Sequence, residues 1–379
     1  MHKILIVGAG KIGTLIAVLL SSSKDYQVYL ADINIENNFL KELAKKNPNL
    51  KLIQLDAQNH AQMSEFLKKN KMQGIVSSLP YYCNVPIAKI AKEFNLNYFD
   101  LTEDTGVAET VAELSKNATN AFVPQCGLAP GFISIVANHL MKHFPTLDTV
   151  KMRVGALPLN ISNALQYSLT WSTDGLINEY GNFCEAIQDG KTVSLPPLDD
   201  LEEIKINGLT YEAFNTSGGI GSLAETYKGK VKNIGYKTIR YPGHCEKMRF
   251  LMNDLNLNHD RDMLKRILEN AIPKTAQDVV LVYVSVTGMQ HNQFCEENYV
   301  KKFYPAEIHG QVWSAIQLTT ACSLAAVLDC VMSNPGKYKG HVKQEEFTLD
   351  DLITNRFGHY YAYGDPTEKK FESASATIE

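Results

Sequence analysis

Three polar stretches in the first third of the chain carry side chains suited to acid–base chemistry. They are PYYCN (80–84), DLTEDTG (100–106) and PQCGLAPGF (124–132), and each follows a short apolar run that predicts a strand. Because the carboxyl ends of parallel strands meet at one edge of a sheet, we expect the three stretches to converge on one crevice. The first stretch supplies Tyr81, and the second supplies the carboxylate of Asp104.

A second group of such side chains lies further along the chain. The stretches YSLTWSTDGLINEY (167–180) and IRYPGHCEKMRF (239–250) combine aromatic with charged residues. In the latter, Pro and Gly force a turn between Arg240 and His244. A solvated surface loop has the same composition, so the residues alone leave both interpretations open.

A glycine-rich segment precedes both groups. ILIVGAGKIGTLIAVLL (4–20) carries Gly8, Gly10 and Gly13 in the G-x-G-x-x-G pattern between a predicted strand and a predicted helix. In a dinucleotide-binding unit the first glycine permits a tight turn, the second lets the backbone approach the pyrophosphate, and the third lets helix and strand pack closely. Asp32 ends the next strand, 19 residues after Gly13, where an acidic residue binds the ribose hydroxyls. We therefore predict a nicotinamide dinucleotide; a Rossmann-like scaffold without a cofactor is the alternative.

The predicted cofactor is NAD, with NADP as the alternative, because Asp32 would repel a 2′-phosphate and no arginine follows it in INIENN. LDA (55–57) ends the third strand, where an aspartate either reaches the adenine amino group or lies at the surface. SSLPYY (77–82) ends the fourth strand, where the nicotinamide end is expected. The predicted cofactor-binding residues are Gly8, Gly10, Lys11, Ile12, Gly13, Asp32, Ile33, Asp56, Ala57, Ser78, Leu79 and Pro80.

The elements that must position these residues alternate between strand and helix up to about residue 130. This pattern predicts an α/β fold with a Rossmann-type doubly wound parallel sheet. Beyond it, polar–apolar alternation predicts a second α+β domain with a mostly antiparallel sheet. We expect an NAD-binding domain over 1–130, a substrate and dimerisation domain over 131–310, a C-terminal helix returning to the first domain over 311–363, and a flexible tail over 364–379.

Composition excludes several classes of protein. The 379 residues carry a net charge of −4, which does not suit a nucleic-acid partner. The seven cysteines form no C-x-x-C pair, which favours reduced thiols in a cytoplasm, and no signal peptide or metal-binding motif is evident. The apolar stretch 312–332 contains several polar residues, so we expect a buried helix rather than a membrane span.

With these residues in view, the sequence resembles the saccharopine dehydrogenase family, and within it most resembles the lysine 6-dehydrogenase type. The resemblance covers residues 1 to about 255. Its motifs are VGAGKIGTLIAVLL, SSLPYYCNVPIAKIA, CGLAPGFISIVANHL, WSTDGLINEYGN and TIRYPGHCEKMRFL. It implies NAD(P)-dependent oxidation at a carbon that bears an amine, through hydride transfer, an imine and hydrolysis.

The resemblance also implies roles for individual residues. Tyr81 and Tyr82 would line the boundary between nicotinamide and substrate, and Asp104 would meet the amine. Arg240 and His244 would close the site from the second domain. The implied catalytic residues are Asp104, His244 and Tyr81; the implied substrate-binding residues are Tyr82, Gln125, Trp171, Thr173 and Arg240.

Elementary chemistry agrees with these roles. An ammonium group has no lone pair with which to expel hydride, so a base must first take its proton, and Asp104 or His244 would serve. An amino-acid carboxylate is bound best by the planar fork of arginine, which favours Arg240. We expect a small amino-acid substrate, no nucleic-acid or membrane partner, and a homodimer. The alternatives are a carboxynorspermidine-type reductase of polyamine metabolism and a non-catalytic NAD-binding regulator.

Overall fold

A computed structural model describes residues 1–362 of the chain. Two compact units divide it. The first unit comprises residues 1–131 and 320–359, and the second comprises residues 132–319 and 360–362. The predicted flexible tail, residues 364–379, lies outside the described residues.

The N-terminal part of the first unit alternates strictly between strand and helix. Its strands are β1 (His2–Val7), β2 (Tyr26–Asp32), β3 (Leu50–Gln54), β4 (Gly74–Ser77), β5 (Asn97–Asp100) and β6 (Ala121–Val123). Its helices are α1 (Lys11–Ser21), α2 (Asn38–Lys46), α3 (His60–Lys69), α4 (Asn84–Glu93) and α5 (Thr105–Leu114). All strand pairs are parallel, in the spatial order 3-2-1-4-5-6 of a doubly wound dinucleotide-binding sheet.

Burial explains why these strands lack polar alternation. Successive residues of a strand point to opposite faces, and Ile4, Leu5, Ile6 and Val7 of β1 are all fully buried. Helices therefore cover both faces of this sheet, as the uninterrupted apolar runs require.

The second unit is built around a mixed sheet. Its strands are β7 (Thr146–Pro158), β8 (Cys184–Gln188), β9 (Lys191–Leu195), β10 (Glu202–Ile206), β11 (Leu209–Asn215), β12 (Val231–Arg240), β13 (Asp278–Gln290) and β14 (Gln293–Phe303), followed by the small hairpin β15 (Ala306–Ile308) and β16 (Gln311–Trp313). Its helices are α6 (Phe132–Met141), α7 (Thr173–Gly181), α8 (Leu223–Tyr227), α9 (His244–Arg249) and α10 (Arg261–Ala271). The main strand order is β10-β11-β12-β7-β13-β14, and β12 and β7 form its parallel pair.

One stretch of this sheet differs from the sequence pattern. The sequence EEIKINGLTYEAFN (202–215) has the pattern of a single strand. In the structure it forms the hairpin β10–β11. The turn residues Asn207 and Gly208 have φ values of 50° and 78°, the left-handed backbone that a two-residue hairpin turn requires.

The chain then enters α11 (Ala315–Ser333), within which the boundary between the two units falls. The first unit continues through β17 (Gly340–His341), which pairs parallel with β6, and α12 (Leu349–Thr354). Asp329 of α11 accepts hydrogen bonds from Tyr26 at 2.7 Å and from Arg356 at 2.7 Å, which ties this segment to β2.

Helix α11 is also long and apolar enough to cross a membrane by length and composition alone, but 78% of its most apolar window is buried inside the protein. Core helices pass the same test. The parallel sheet and the second, mostly antiparallel sheet confirm the predicted α/β fold class.

Candidate active site

The glycine-rich turn between β1 and α1 has the geometry of a dinucleotide-binding loop. Gly8 has a φ of 100°, a backbone conformation that favours glycine, and its N–H donates to the Ala31 carbonyl at 2.8 Å. A Cβ on Gly13 would lie 1.9 Å from the Gly8 carbonyl oxygen, so only glycine lets α1 approach the turn. Packing within the protein therefore explains the first and third glycines.

Gly10 needs a different explanation. A Cβ built on Gly10 would meet no atom of residues 1–362 within 4 Å. Gly10 is the N-cap of α1, and no side chain in this described part of the chain caps the amides of the first helical turn, which include those of Lys11 and Ile12. Such amides and the helix dipole favour an anion at this point. The open approach to Gly10 and the amides beside it fit a dinucleotide pyrophosphate.

Asp32 lies directly beside the loop. Its Oδ2 accepts from the Ala9 N–H at 2.7 Å, and its Oδ1 accepts from the Asn34 N–H at 3.0 Å. The carboxylate is thus held at the end of β2, where a ribose would follow the pyrophosphate. The exposed Ile33 follows it, with 67% of its surface accessible.

The other predicted cofactor residues lie at neighbouring strand ends. The Ser78 N–H donates to the Val7 carbonyl at 2.9 Å, and a Cβ on Gly8 would lie 3.1 Å from Cδ2 of Leu79. The structure therefore brings Ser78 and Leu79, with Pro80 after them, against the glycine turn. Asp56 and Ala57 follow Leu55, whose N–H donates to the Asp32 carbonyl at 3.0 Å.

Tyr81 and Tyr82 begin a short 3-10 helix just beyond Pro80, with their rings 5.5 Å apart and edge to face. Tyr82 is 58% exposed. The next polar residue, Asn84, is buried and accepts from the Ser77 hydroxyl at 2.7 Å, so it holds the end of β4.

The ends of β5 and β6 are joined by a buried carboxylate. Asp100 Oδ1 accepts from the Thr102 N–H at 3.0 Å and from the Gln125 N–H at 2.9 Å. Burial raises the pKa of the Asp100 carboxyl, and these amide donors oppose that rise. Gln125 has a φ of 63°, a strained conformation that Asp100 helps to hold.

Asp104, the predicted base, is the N-cap of α5. Its Oδ1 accepts from the Val107 N–H at 2.8 Å, and its own N–H donates to the Thr102 hydroxyl at 3.1 Å. Hydrogen bonds through Asp100 and Thr102 thus connect the two predicted site residues of these loops, Gln125 after β6 and Asp104 after β5.

In the second unit, Arg240 ends β12 as a buried cation, with 3% of its surface exposed. Its Nε donates to the Tyr180 hydroxyl at 2.8 Å, and its Nη1 donates to the Ile239 carbonyl at 2.8 Å. The hydrogen bonds that the structure gives this guanidinium within residues 1–362 therefore go to neutral acceptors. Burial acts to lower the pKa of Arg240, but Tyr180, Tyr167 and Glu179 outweigh it and raise that pKa, so the group stays charged.

A carboxylate does lie next to Arg240 in the sheet, but it serves the backbone. Glu212 pairs with Arg240 in the β11–β12 register. Its two oxygens accept from the N–H groups of Gly243 at 2.7 Å and Cys245 at 2.6 Å. Glu212 thus holds the turn that leads into α9.

His244, the first residue of α9, is fully buried. Its Nδ1 lies 2.8 Å from the Leu165 carbonyl oxygen, and its Nε2 lies 3.1 Å from the Tyr180 hydroxyl. Burial, followed by the positive charge of Arg240, lowers the pKa of His244 to about 3. Both ring nitrogens are thus engaged and the ring is neutral in this structure. The catalytic role that the resemblance implies for His244 stays a prediction.

Two tyrosines of the second unit, Tyr167 and Tyr180, lie next to predicted site residues. Neither tyrosine is itself among the predicted site residues. Trp171 Nε1 donates to the Tyr167 hydroxyl at 3.0 Å, and the Arg240 guanidinium carbon lies 5.2 Å from the Tyr167 ring centre. Thr173 begins α7, two turns before Tyr180 and therefore on the same helical face. Both tyrosines lie in the 167–180 motif, but the sequence of that motif does not show that they contact Arg240.

Comparisons with known proteins agree with this fold. The model of the saccharopine dehydrogenase NADP binding domain matches residues 4–124, and that of the saccharopine dehydrogenase C-terminal domain matches residues 127–359. The apo saccharopine dehydrogenase (L-Glu forming) of Saccharomyces cerevisiae is similar in fold, with a TM-score of 0.73 at 15% identity over 91% of this chain and 94% of that chain. The homospermidine synthase of Legionella pneumophila, solved in complex with NAD, has a TM-score of 0.64 at 13% identity over 95% of this chain and 89% of that chain.

The doubly wound sheet and its glycine loop define an NAD(P)-binding oxidoreductase fold, and the cofactor is a nicotinamide dinucleotide. The two matched domains span most of the sequence, and the chain belongs to the saccharopine dehydrogenase family. This confirms the predicted family; the lysine 6-dehydrogenase type stays a prediction.

Proposed function

We propose that the chain is an NAD-dependent dehydrogenase that oxidises the amine-bearing carbon of an amino acid of the lysine or saccharopine class. The observation that carries the substrate class is Arg240, which is 3% exposed and bonded to neutral acceptors. Glu179 acts on this charge from a distance, but the hydrogen bonds that residues 1–362 give Arg240 go to neutral oxygens. A substrate carboxylate would supply a directly bonded charged partner, in a planar shape that guanidinium matches.

The proposed reaction begins with removal of a proton from the substrate ammonium, since only a neutral amine has the lone pair that assists loss of hydride. We assign this step to Asp104. When bound, the nicotinamide ring supplies the hydride acceptor. As the C–H bond breaks, the lone pair on nitrogen forms the C=N bond of an iminium. Water adds to this iminium and the C–N bond breaks, which leaves a carbonyl group and releases ammonia from a primary amine or the second amino acid from a secondary one.

The remaining predicted residues shape this site in our proposal. The rings of Trp171, Tyr81 and Tyr82 would exclude water from the reacting carbon, and Thr173 and Gln125 would hydrogen-bond the substrate. Exclusion of water strengthens every electrostatic interaction made there.

We propose NAD rather than NADP as the physiological cofactor, although the matched domain is described as NADP binding. The support is Asp32, whose carboxylate is fixed by two backbone amides at the ribose position. A second negative charge at a 2′-phosphate would be repelled there.

We also propose a homodimer in the cytoplasm. The edge strand β14 exposes Phe294 and Val300, at 64% and 43%, on one face, which a second copy would cover. The seven cysteines are all free, which suits a reducing compartment. Light scattering of the Val300→Asp variant tests the dimer, since a charge at the contact should leave monomers.

The function itself is tested by an NADH-linked screen of lysine, saccharopine, ornithine and a carboxylated polyamine at alkaline pH. Arg240→Met should raise KM for the active amino acid by about 10- to 100-fold, the equivalent of one lost charge-assisted bond. Arg249→Met is the matched control, because Arg249 is a partly exposed arginine bonded to the Leu198 carbonyl. NAD binding without turnover of any amine would instead indicate a non-catalytic regulator.

A further inference from the structure

A buried chain of hydrogen bonds ends at Arg240. It runs from the Leu165 carbonyl to His244 Nδ1 at 2.8 Å, from His244 Nε2 to the Tyr180 hydroxyl at 3.1 Å, and from that hydroxyl to Arg240 Nε at 2.8 Å. Tyr180, His244 and Arg240 are 1%, 0% and 3% exposed. Water therefore has little access to any link of the chain.

The direction of every bond in this chain is determined. A carbonyl oxygen only accepts, so the Leu165 carbonyl requires the proton of His244 to be on Nδ1. The neutral ring then presents Nε2 as an acceptor, and the Tyr180 hydroxyl must donate to it. The Tyr180 oxygen consequently accepts from Arg240 Nε, which only donates.

This chain fixes the plane and the free edge of the guanidinium. Nε is occupied by Tyr180, and one N–H of Nη1 is occupied by the Ile239 carbonyl. The rings of Tyr167 and Tyr180 lie 5.2 and 5.8 Å from the guanidinium carbon. Arginine can bind a carboxylate through its Nε–Nη2 edge or, end-on, through its Nη1–Nη2 edge. Because Nε already donates to Tyr180, a carboxylate would be bound end-on, by the second N–H of Nη1 and by Nη2.

We propose that Tyr180 and His244 are positioning residues that hold Arg240 for end-on binding of the substrate carboxylate. This inference rests on the proposed function, in which Arg240 binds that carboxylate. Neither residue exchanges a proton with the substrate. Their effect belongs to carboxylate binding rather than to the chemical step.

The test compares L-lysine with cadaverine, the same diamine without a carboxylate, by calorimetric titration of the NADH-loaded full-length protein, in which the reduced cofactor cannot accept hydride from either amine. Tyr180→Phe removes the hydroxyl and leaves both Arg240 Nε and His244 Nε2 without their partner. We expect Kd for L-lysine to rise about tenfold or more and Kd for cadaverine to stay within about twofold. In an Arg240→Met background, Tyr180→Phe should have no further effect on lysine binding.

Two further variants complete the experiment. Tyr241→Phe is the matched control, because its hydroxyl bonds the Pro158 carbonyl at 3.0 Å and it should leave both Kd values unchanged. His244→Leu removes the acceptor of Tyr180 and should reproduce the selective loss, which keeps the proposal testable if Tyr180→Phe does not fold.

The outcomes separate the two proposals. Equal weakening of lysine and cadaverine by Tyr180→Phe, or an undiminished effect in the Arg240→Met background, overturns the positioning role alone. Unchanged lysine binding in Arg240→Met, or no binding of either lysine or saccharopine to the unmodified protein, overturns the proposed function and this inference with it.

Discussion

The Oδ2 atom of Asp32 accepts a hydrogen bond of 2.7 Å from the backbone N–H of Ala9, inside the glycine turn. This bond fixes a negative charge beside the glycine turn, where we propose that the ribose lies, and we predict tighter binding of NAD than of NADP. Asp32→Asn keeps an oxygen for the Ala9 amide but removes the charge. It should raise NADP affinity about tenfold or more while NAD affinity falls, because bonds to a charged acceptor are the stronger ones. Calorimetric titration with both dinucleotides measures this. Tighter NADP binding by the unmodified protein would contradict the assignment.

The three glycines of the loop should respond differently to alanine. Gly10→Ala adds a methyl group that no atom of the described residues approaches within 4 Å, so the free energy of unfolding should change by less than about 0.5 kcal/mol. NAD binding should weaken at least about tenfold, because the methyl group would meet the pyrophosphate. Gly13→Ala places a Cβ 1.9 Å from a backbone oxygen and should destabilise the protein by about 1–3 kcal/mol or more. Urea unfolding and NAD titration of both variants separate the two effects. A destabilised Gly10→Ala protein would show that this glycine serves packing instead.

His244 should remain neutral throughout the physiological pH range. Its pKa is lowered to about 3 in the folded protein, while an unfolded histidine titrates near ~6.5. As pH falls below ~6.5, the unfolded chain binds a proton that the folded protein does not, so stability decreases until the pH approaches 3. The free energy of unfolding should fall by up to about 1.4 kcal/mol per pH unit from this group.

His244→Gln should remove that contribution, and the difference between variant and unmodified protein from pH 4 to 8 isolates it from the carboxylates. The His244 ring resonance, followed by NMR, should not shift between pH 5 and 8. A titration midpoint near 6.5 would show instead that the ring is accessible to solvent and available as a base.

The cofactor loop could be predicted from sequence because its mechanics are local. Gly8, Gly10 and Gly13 act within one turn and one helix, and Asp32 lies one strand away. The hairpin at Asn207–Gly208 is also local, and Asn-Gly between two apolar runs is a recognised turn signal that the single-strand prediction overlooked. The strand β17 has two residues, too few to show any periodicity.

The environment of Arg240 could not be predicted in this way. Tyr180 precedes Arg240 by 60 positions and Leu165 precedes His244 by 79. These residues come from α7, α9, the end of β12 and the loop before α7, and no short sequence pattern records how such separate elements meet. Sequence motifs therefore identified Arg240 and His244 as notable, but the neutral state and full burial of His244 emerged only from the structure.

The final prediction concerns Asp104 as the proposed base. Asp104→Asn is the most informative change, because asparagine is also a good helix N-cap and should preserve the bond to the Val107 amide. Stability and NAD affinity should therefore stay nearly unchanged, whereas kcat should fall at least about 100-fold, as expected for a lost acid–base group. Steady-state kinetics with the substrate found in the screen measure this. Asp104→Ala, which also loses the cap, shows how much of any effect comes from the helix.

The pH dependence of the same reaction gives an independent check. A lysine side-chain amine titrates near ~10.4 in water, and only its neutral form releases hydride, so oxidative kcat should rise with pH. A carboxylate beside the amine holds the proton on, whereas apolar walls and the positive nicotinamide ring favour its loss. We expect the apolar walls and the nicotinamide charge to outweigh the carboxylate. The apparent pKa of kcat should therefore lie below the pKa of the free lysine side chain. Full kcat in Asp104→Asn, combined with loss of kcat at saturating substrate in His244→Ala, would assign the base to His244 and require that its buried ring becomes accessible during turnover.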